Sequence, residues 1–185
     1  TTVTIPAGST SVDVSIPITD DATDEPDEDF TVGGTVTSGN TSNTNPSGTV
    51  TITDNDATPT VSIGDVTVGE GDGTATVPVS IDVASSVDTV VDIVTTTGTA
   101  GTADFTTTTT TVTIPAGSTS VDVSIPITDD AISESPEDFT VDGTVTSGNT
   151  VNTDPSGTVT INDNDVDPCP NPLDTDGDGL TDCEE

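Results

Sequence analysis

Valine and isoleucine recur at every second position through many short stretches, and glycine, proline, asparagine and aspartate separate those stretches. A period of two is that of a half-buried β-strand, and no segment shows the 3.6-residue period of a helix. The clearest case is Ser120 to Thr128, where Val121, Val123, Ile125 and Ile127 alternate inward. Further strands are predicted over Thr60 to Val68, Gly73 to Val83, Thr89 to Thr95, Thr107 to Ile114, Phe139 to Ser147 and Gly157 to Asn162. Thr89 to Thr95 is apolar on both faces. Pro78, Pro115 and Pro126 fall in or beside strands and predict edges or bulges there. Phe30, Phe105 and Phe139 are the only aromatic residues, so each core is small and built mainly from Val and Ile. Seven short strands punctuated by turns predict an all-β sandwich of about 100 residues.

That pattern occurs nearly twice. TVTIPAGSTSVDVSIPITDDA begins at Thr2 and again at Thr111, and the match continues to Pro59 and Pro168. About 48 of about 58 aligned positions are identical at a spacing of about 109 residues, the mark of an internal repeat. Three segments follow. Residues 1–56 are the C-terminal half of a unit, 57–165 a complete unit, and 166–185 a short irregular tail. The two copies abut at Asp54-Asn55-Asp56-Ala57-Thr58-Pro59 with almost no linker. With no Met and with Thr1 opening in mid-pattern, the chain reads as an internal or processed piece.

Charge changes the picture. The chain has 34 Asp and Glu and no Lys, Arg or His, a net charge of −34. Clustering or burying so many uncompensated carboxylates is costly through repulsion and desolvation. Either the acids are dispersed on a solvated surface, or many converge on a metal ion that supplies the missing charge. Nucleic acid is excluded as a partner, because phosphate binding rests on Lys and Arg. Direct contact with anionic lipid fails for the same reason, and no apolar run approaches the roughly 18 residues of a membrane span.

The acids gather at strand ends. Asp129 and Asp130 close one strand, with Glu134, Glu137 and Asp138 before the next. Asp163 and Asp165 close the last strand, Glu70 lies in the first turn, and Asp104 precedes Phe105. The first copy repeats the pattern with Asp20, Asp21, Glu25, Glu28, Asp54 and Asp56. Alternate loops of a sandwich emerge at one pole, and calcium takes six to eight hard oxygens of the kind several loops supply.

With GEGDGTATVPVSI from Gly69, GTADF from Gly101, TIPAGSTSVDVSIPITDDAISESPEDF from Thr113 and GTVTINDND from Gly157, the sequence resembles the Calx-β domain family. The resemblance covers Thr60 to Asp165 fully and Thr2 to Asp56 as a C-terminal half. It implies tandem immunoglobulin-like, seven-stranded sandwiches that bind calcium at one pole. Carried over residue by residue, it implies ligation by Glu70, Asp104, Asp129, Asp130, Glu134, Glu137, Asp163 and Asp165. In the first copy it implies the same for Asp20, Asp21, Glu25, Glu28, Asp54 and Asp56. At Asn164 the chain departs from the acidic triplet of the strongest calcium binders.

The tail carries a separate signal. DTDGDGLTDCEE from Asp174 matches the twelve-residue calcium-loop template at every specified position. Asp174, Asp176 and Asp178 take positions 1, 3 and 5, and Gly179 permits the turn. Leu180 offers its carbonyl, Asp182 sits at position 9, and Glu185 is the bidentate last ligand. Flanked by DPCPNPL and not by helices, the loop resembles a thrombospondin type 3 repeat. Cys169 and Cys183 bracket it. Two cysteines in a secreted-looking chain predict a disulfide, and no His or CxxC accompanies them as zinc or redox chemistry would require.

The expected function is structural. Calcium stiffens repeat poles and junctions in an extracellular adhesin or filament whose partners are neighbouring repeats of the same chain. The combination of Calx-β repeats with this loop is similar to large cell-surface gliding adhesins of Bacteroidota. A calcium-sensing regulatory domain is the alternative. An enzyme is not expected: paired carboxylates serve glycosidases, but there is no Trp or Tyr for sugar stacking, and each acidic cluster has a metal use. The Thr run at Thr106 to Thr111 suits a solvated strand or O-linked glycans.

Overall fold

The structure, a computed structural model, describes residues 1–166. Its contacts divide the chain into two units. Thr1–Ala22 and Pro26–Asn55 form one, and Thr23–Glu25 joins the chain from Asp56 onward in the other.

The first unit contains one hairpin, β1 (Glu28–Gly33) against β2 (Ser47–Ile52), antiparallel with Phe30 opposite Val50. Residues 2–18 repeat a sequence that forms two strands in the second copy, yet they form none here, and Val12, Val14, Ile16 and Ile18 are 40–50% exposed. The cause is missing neighbours. An isolated strand leaves its amides and carbonyls unpaired and its apolar face uncovered, and the stretches that pair with the second copy's two strands, 74–80 and 89–94, have no counterpart within residues 1–56.

The second unit is a two-sheet sandwich. Its strands are β3 (Val61–Ile63), β4 (Val66–Gly69), β5 (Thr74–Ile81), β6 (Thr89–Thr97), β7 (Thr109–Ile114), β8 (Ser120–Pro126), β9 (Glu137–Ser147) and β10 (Ser156–Asn162). One sheet runs β4-β10-β9-β6-β7 and the other β3-β5-β8. Period-two burial holds as expected: Ala75, Val77, Val79 and Ile81 of β5 share one apolar core with Val91, Ile93, Val141 and Val159 of the other sheet. Phe105 and Phe139 stack in that core, with centroids 3.9 Å apart and planes 10° from parallel.

Two expectations need correction. The single first strand, Thr60 to Val68, is two strands in different sheets. β3 pairs antiparallel with β5, and after Gly64 and Asp65 the chain crosses to pair β4 in parallel with β10. Gly64 permits the crossing, because a Cβ there would lie 2.7 Å from Pro78 Cγ, while its amide donates to the Pro78 carbonyl at 2.9 Å. Asp65 then accepts from the Thr158 amide at 2.8 Å. Pro78 itself marks no edge, since β5 is the central strand of its sheet. It is tolerated because the paired run of β3 ends at Ile63 opposite Val79, and the one backbone bond beyond it, from the Gly64 amide, uses the Pro78 carbonyl as acceptor and needs no N–H from the proline. Pro126 ends the edge strand β8, as expected.

Register fixes which loops meet. Gly69 pairs with Asn162, Glu137 with Ile161, Thr97 with Phe139 and Thr74 with Pro126. Residues 70–72, 98–106, 127–136 and 163–166 therefore emerge at one pole. Residues 84–88, 115–118 and 148–152 emerge at the other. No helix among the described residues is long and apolar enough to cross a membrane.

Candidate metal centre

Every loop at the first pole brings acids. β4 runs into a single 3₁₀ turn, Glu70–Asp72, whose first residue turns inward and is only 4% exposed. The Asp72 carboxylate fixes the turn by accepting from the Gly69 amide at 2.7 Å. Because β4 lies parallel to β10, Glu70 and Asp163 leave adjacent strands in the same direction. Glu70, Asp163 and Asp165 place carboxylate oxygens within 4.8 Å of one another. A second triad with the same spacing forms from Asp104, Glu134 and Glu137. One concavity joins them, lined by Glu70, Asp104, Glu134, Glu137 and Asp163 and floored by Ile161.

Backbone donors hold the acids in place. Asp163 accepts from the amides of Glu134 at 2.9 Å and Asp165 at 2.9 Å, and from the Ser133 hydroxyl at 3.3 Å. Asp104 accepts from the Gly101 amide at 2.6 Å, and Glu70 from the Asp130 amide at 3.3 Å. Asn164, at the position that breaks the acidic triplet, donates its side-chain amide to Asp129 at 3.2 Å. Gly71 makes room for it, since a Cβ there would sit 2.6 Å from Asn164 Nδ2.

Electrostatics divides the site. The amide donors from Asp165 and Glu134 hold Asp163 below the usual carboxylate range. Burial pushes Glu70 up, and the neighbouring charges of Asp130, Asp165 and Asp163 add to it against the Asp130 amide. Burial, then Asp163, Asp129 and Asp130, raises Asp165. Glu134 is raised by desolvation and by Asp104 and Asp130. Glu137 is raised by desolvation, then by a hydrogen bond and charge repulsion with Asp104. Four acids with suppressed ionisation at one pole are an arrangement that a cation relieves.

The donor set fits a hard divalent cation. Among the described residues all candidate ligands at this pole are carboxylate oxygens, and the chain has no histidine, which suits a hard cation and not zinc-type nitrogen coordination. A further observation points the same way: Asp165 Oδ2 is buried and accepts no hydrogen bond from any described residue. A buried carboxylate oxygen without a donor is costly unless a cation takes the donor's place.

Of the residues expected from sequence, six form the two triads. Asp129 and Asp130 border them: Asp129 is held by Asn164, and Asp130 caps the following turn by accepting from the Ile132 amide at 2.7 Å. In the first copy Asp20, Asp21, Glu25 and Glu28 are exposed, Asp54 and Asp56 are half-buried, and the Asp54 amide donates to Asp27 at 3.0 Å. Among the described residues, no group of three acids drawn from this copy converges. Asp174, Asp176, Asp178, Leu180, Asp182, Glu185, Cys169 and Cys183 lie outside the described residues. Sequence reasoning missed the anchoring donors Ser133 and Asn164, whose signal was only that polar residues interleave the acids. Asp138 stands beside the cluster in sequence but turns away, accepting from the Thr99 hydroxyl at 2.6 Å and its amide at 3.2 Å.

Fold and site together define an all-β, immunoglobulin-like sandwich with two carboxylate triads at one pole. The Calx-beta domain profile matches residues 1–56 and 53–165, and the chain belongs to that family, which is not a catalytic one. Among solved structures, the apo-form Calx CBD1 domain is similar at 22% identity over 59% of this chain and 100% of that one, with a TM-score of 0.50. CBD12 from CALX1.2 is similar at 26% identity over 57% of this chain and 45% of that one, also at 0.50. No curated protein matches the chain.

Proposed function

We propose that the second unit binds calcium at its acidic pole, through Glu70, Asp163 and Asp165 and through Asp104, Glu134 and Glu137, with Asp129 and Asp130 at the rim. The observation that carries this reading is the pair of carboxylate triads with the orphaned Asp165 Oδ2. The family of the chain supports it. Ions bound only by the folded state stabilise that state by RT ln(1 + [L]/Kd) and remove the repulsion among the acids. Calcium is then part of the structure. The larger reading is a structural segment of a repetitive surface adhesin or filament, outside the cell, where millimolar calcium suits weak sites. The near-identical copies favour it, as does the sequence of the loop from Asp174 to Glu185 with its expected Cys169–Cys183 bridge. Gliding or adhesion is the setting that the sequence resemblance suggests. The Calx-beta family of the chain is equally compatible with a second reading, a calcium-sensing regulatory domain.

Calorimetric titration with calcium, paired with small-angle scattering in calcium and in chelator, tests both. Binding near millimolar calcium with a chain that loosens in chelator supports the structural role. A conformational transition near micromolar calcium supports the regulatory one. Identical melting temperatures with calcium and with chelator would sink calcium binding altogether.

A further inference from the structure

The pole opposite the acids holds a second built site. Asp24 is 3% exposed, and no other residue up to 56 is buried among those described. It belongs with the second unit. Its backbone adds a parallel bridge beside Ser85: the Asp24 amide donates to the Ala84 carbonyl at 3.0 Å, and the Ser86 amide donates to the Asp24 carbonyl at 2.9 Å. Its carboxylate is held at both oxygens. Asn149 Nδ2 donates at 3.0 and 3.1 Å, and the Ser85 hydroxyl donates at 3.2 Å. In a chain without cationic side chains, these neutral donors stand where a Lys or Arg would.

The seat is held by the sandwich. The Gly117 amide donates to the Ser85 carbonyl at 2.8 Å, and Asp88 accepts from the Ala116 amide at 2.8 Å, which ties the loop after β5 to the β7–β8 turn. Gly148, at φ 122°, turns the chain where a Cβ would meet Thr89 Oγ1 at 2.9 Å, and so presents Asn149. The occupant is copy-specific. Position 24 corresponds to Ser133 in the second copy, whose hydroxyl serves Asp163 at the metal pole, whereas the seat residue Asn149 recurs as Asn40.

We propose that Ala84–Ser86 and Asn149 form a receptor for an extended, aspartate-bearing peptide segment, filled here by Thr23–Glu25. Strand-like backbone pairing supplies the attachment, and the two-oxygen grip on the carboxylate supplies the selectivity. Asparagine in place of Asp24 turns one acceptor into a donor facing Asn149 or Ser85, and glutamate is one methylene too long for the same backbone register.

Amide hydrogen exchange by NMR on the full chain tests this, in chelator so that calcium plays no part. The Ser86 amide is expected to exchange at least tenfold faster in D24A and in D24N, with β6 and β9 amides unchanged as the control for folding. A synthetic peptide of residues 20–28 added to D24A is expected to restore the Ser86 protection and the Asn149 side-chain resonances. The proposal is overturned if the Ser86 amide of the native chain exchanges at the rate of a free peptide. It is overturned equally if both substitutions leave that rate unchanged, or if the added peptide moves neither Ser86 nor Asn149.

Discussion

At the scale of residues, this chain shows how carboxylates are accommodated without a single cationic side chain. Hydroxyls and amides do it. Asp92 accepts from Thr111 at 2.6 Å, Asp142 from Thr96 at 2.9 Å and Thr140 at 3.2 Å, and Asp82 from the Thr60 amide at 2.6 Å. That last bond, with lesser help from neighbouring amides, holds Asp82 below the ordinary range. The Thr-rich strands thus act as donors to the acids that face them. Asp165 Oδ2 is buried without a donor among the described residues, and it lies at the acidic pole where calcium is proposed. D165N is expected to weaken calcium at least tenfold, about 1.4 kcal/mol, while raising the melting temperature in chelator because one repelling charge is gone. Titration calorimetry and thermal melts in both conditions check the two signs.

The pH dependence follows from the same acids. Glu70, Glu134, Glu137 and Asp165 have folded-state pKa values above their unfolded ones. Between the ordinary value, 4.5 for the glutamates, and the raised one, the folded state binds more protons, so stability falls as pH rises. In chelator the melting temperature is expected to increase as pH is lowered from neutrality toward about 4.5. Below that, Asp163 and Asp138, whose pKa values are lowered, take up protons and stability is lost. In calcium the upper slope should reverse, since ligands must be deprotonated to bind. A melting temperature independent of pH in chelator contradicts this account.

At the scale of elements, alternation made most of the sandwich legible. β5 to β10 lie where the period of two places them, and Val121 to Ile127 face inward as read. Short-range pattern did not reveal which sheet a strand joins. The division of the first strand depends on a contact between Gly64 and Pro78 and on a parallel partner about ninety residues away. The acids of the second unit were legible as a set because strand ends share a pole. Their sorting into two triads, and the departure of Asp138, depend on register. In the first copy nearly the same letters give only a hairpin, because a strand's sequence does not supply its neighbour. G64A is expected to destabilise the second unit by about 1–3 kcal/mol through the Pro78 clash, measured by denaturant unfolding. A neutral result would mean that the crossing does not depend on close approach.

At the scale of the whole molecule, a charge of −34 with no counter-charge sets the response to solvent. In chelator, raising sodium chloride from about 10 mM to 150 mM, which shortens the screening length from about 30 Å to 8 Å, is expected to stabilise the fold. Saturating calcium should shrink that gain, because the densest repulsion is already neutralised. Scanning calorimetry at the two salt levels, with and without calcium, gives both numbers.

The parallel pairing of β4 with β10 has a mechanical meaning. β4 stands near the start of the unit and β10 at its end, so tension along the chain pulls one toward its N-terminus and the other toward its C-terminus. Neighbouring parallel strands drawn in this way slide past each other in shear, and their hydrogen bonds must yield together and not one by one. Glu70 and Asp163, just beyond that ladder, put the acidic pole on the same line of force. Single-molecule stretching should therefore find a unit that unfolds in one abrupt event, at a force that drops when calcium is withdrawn.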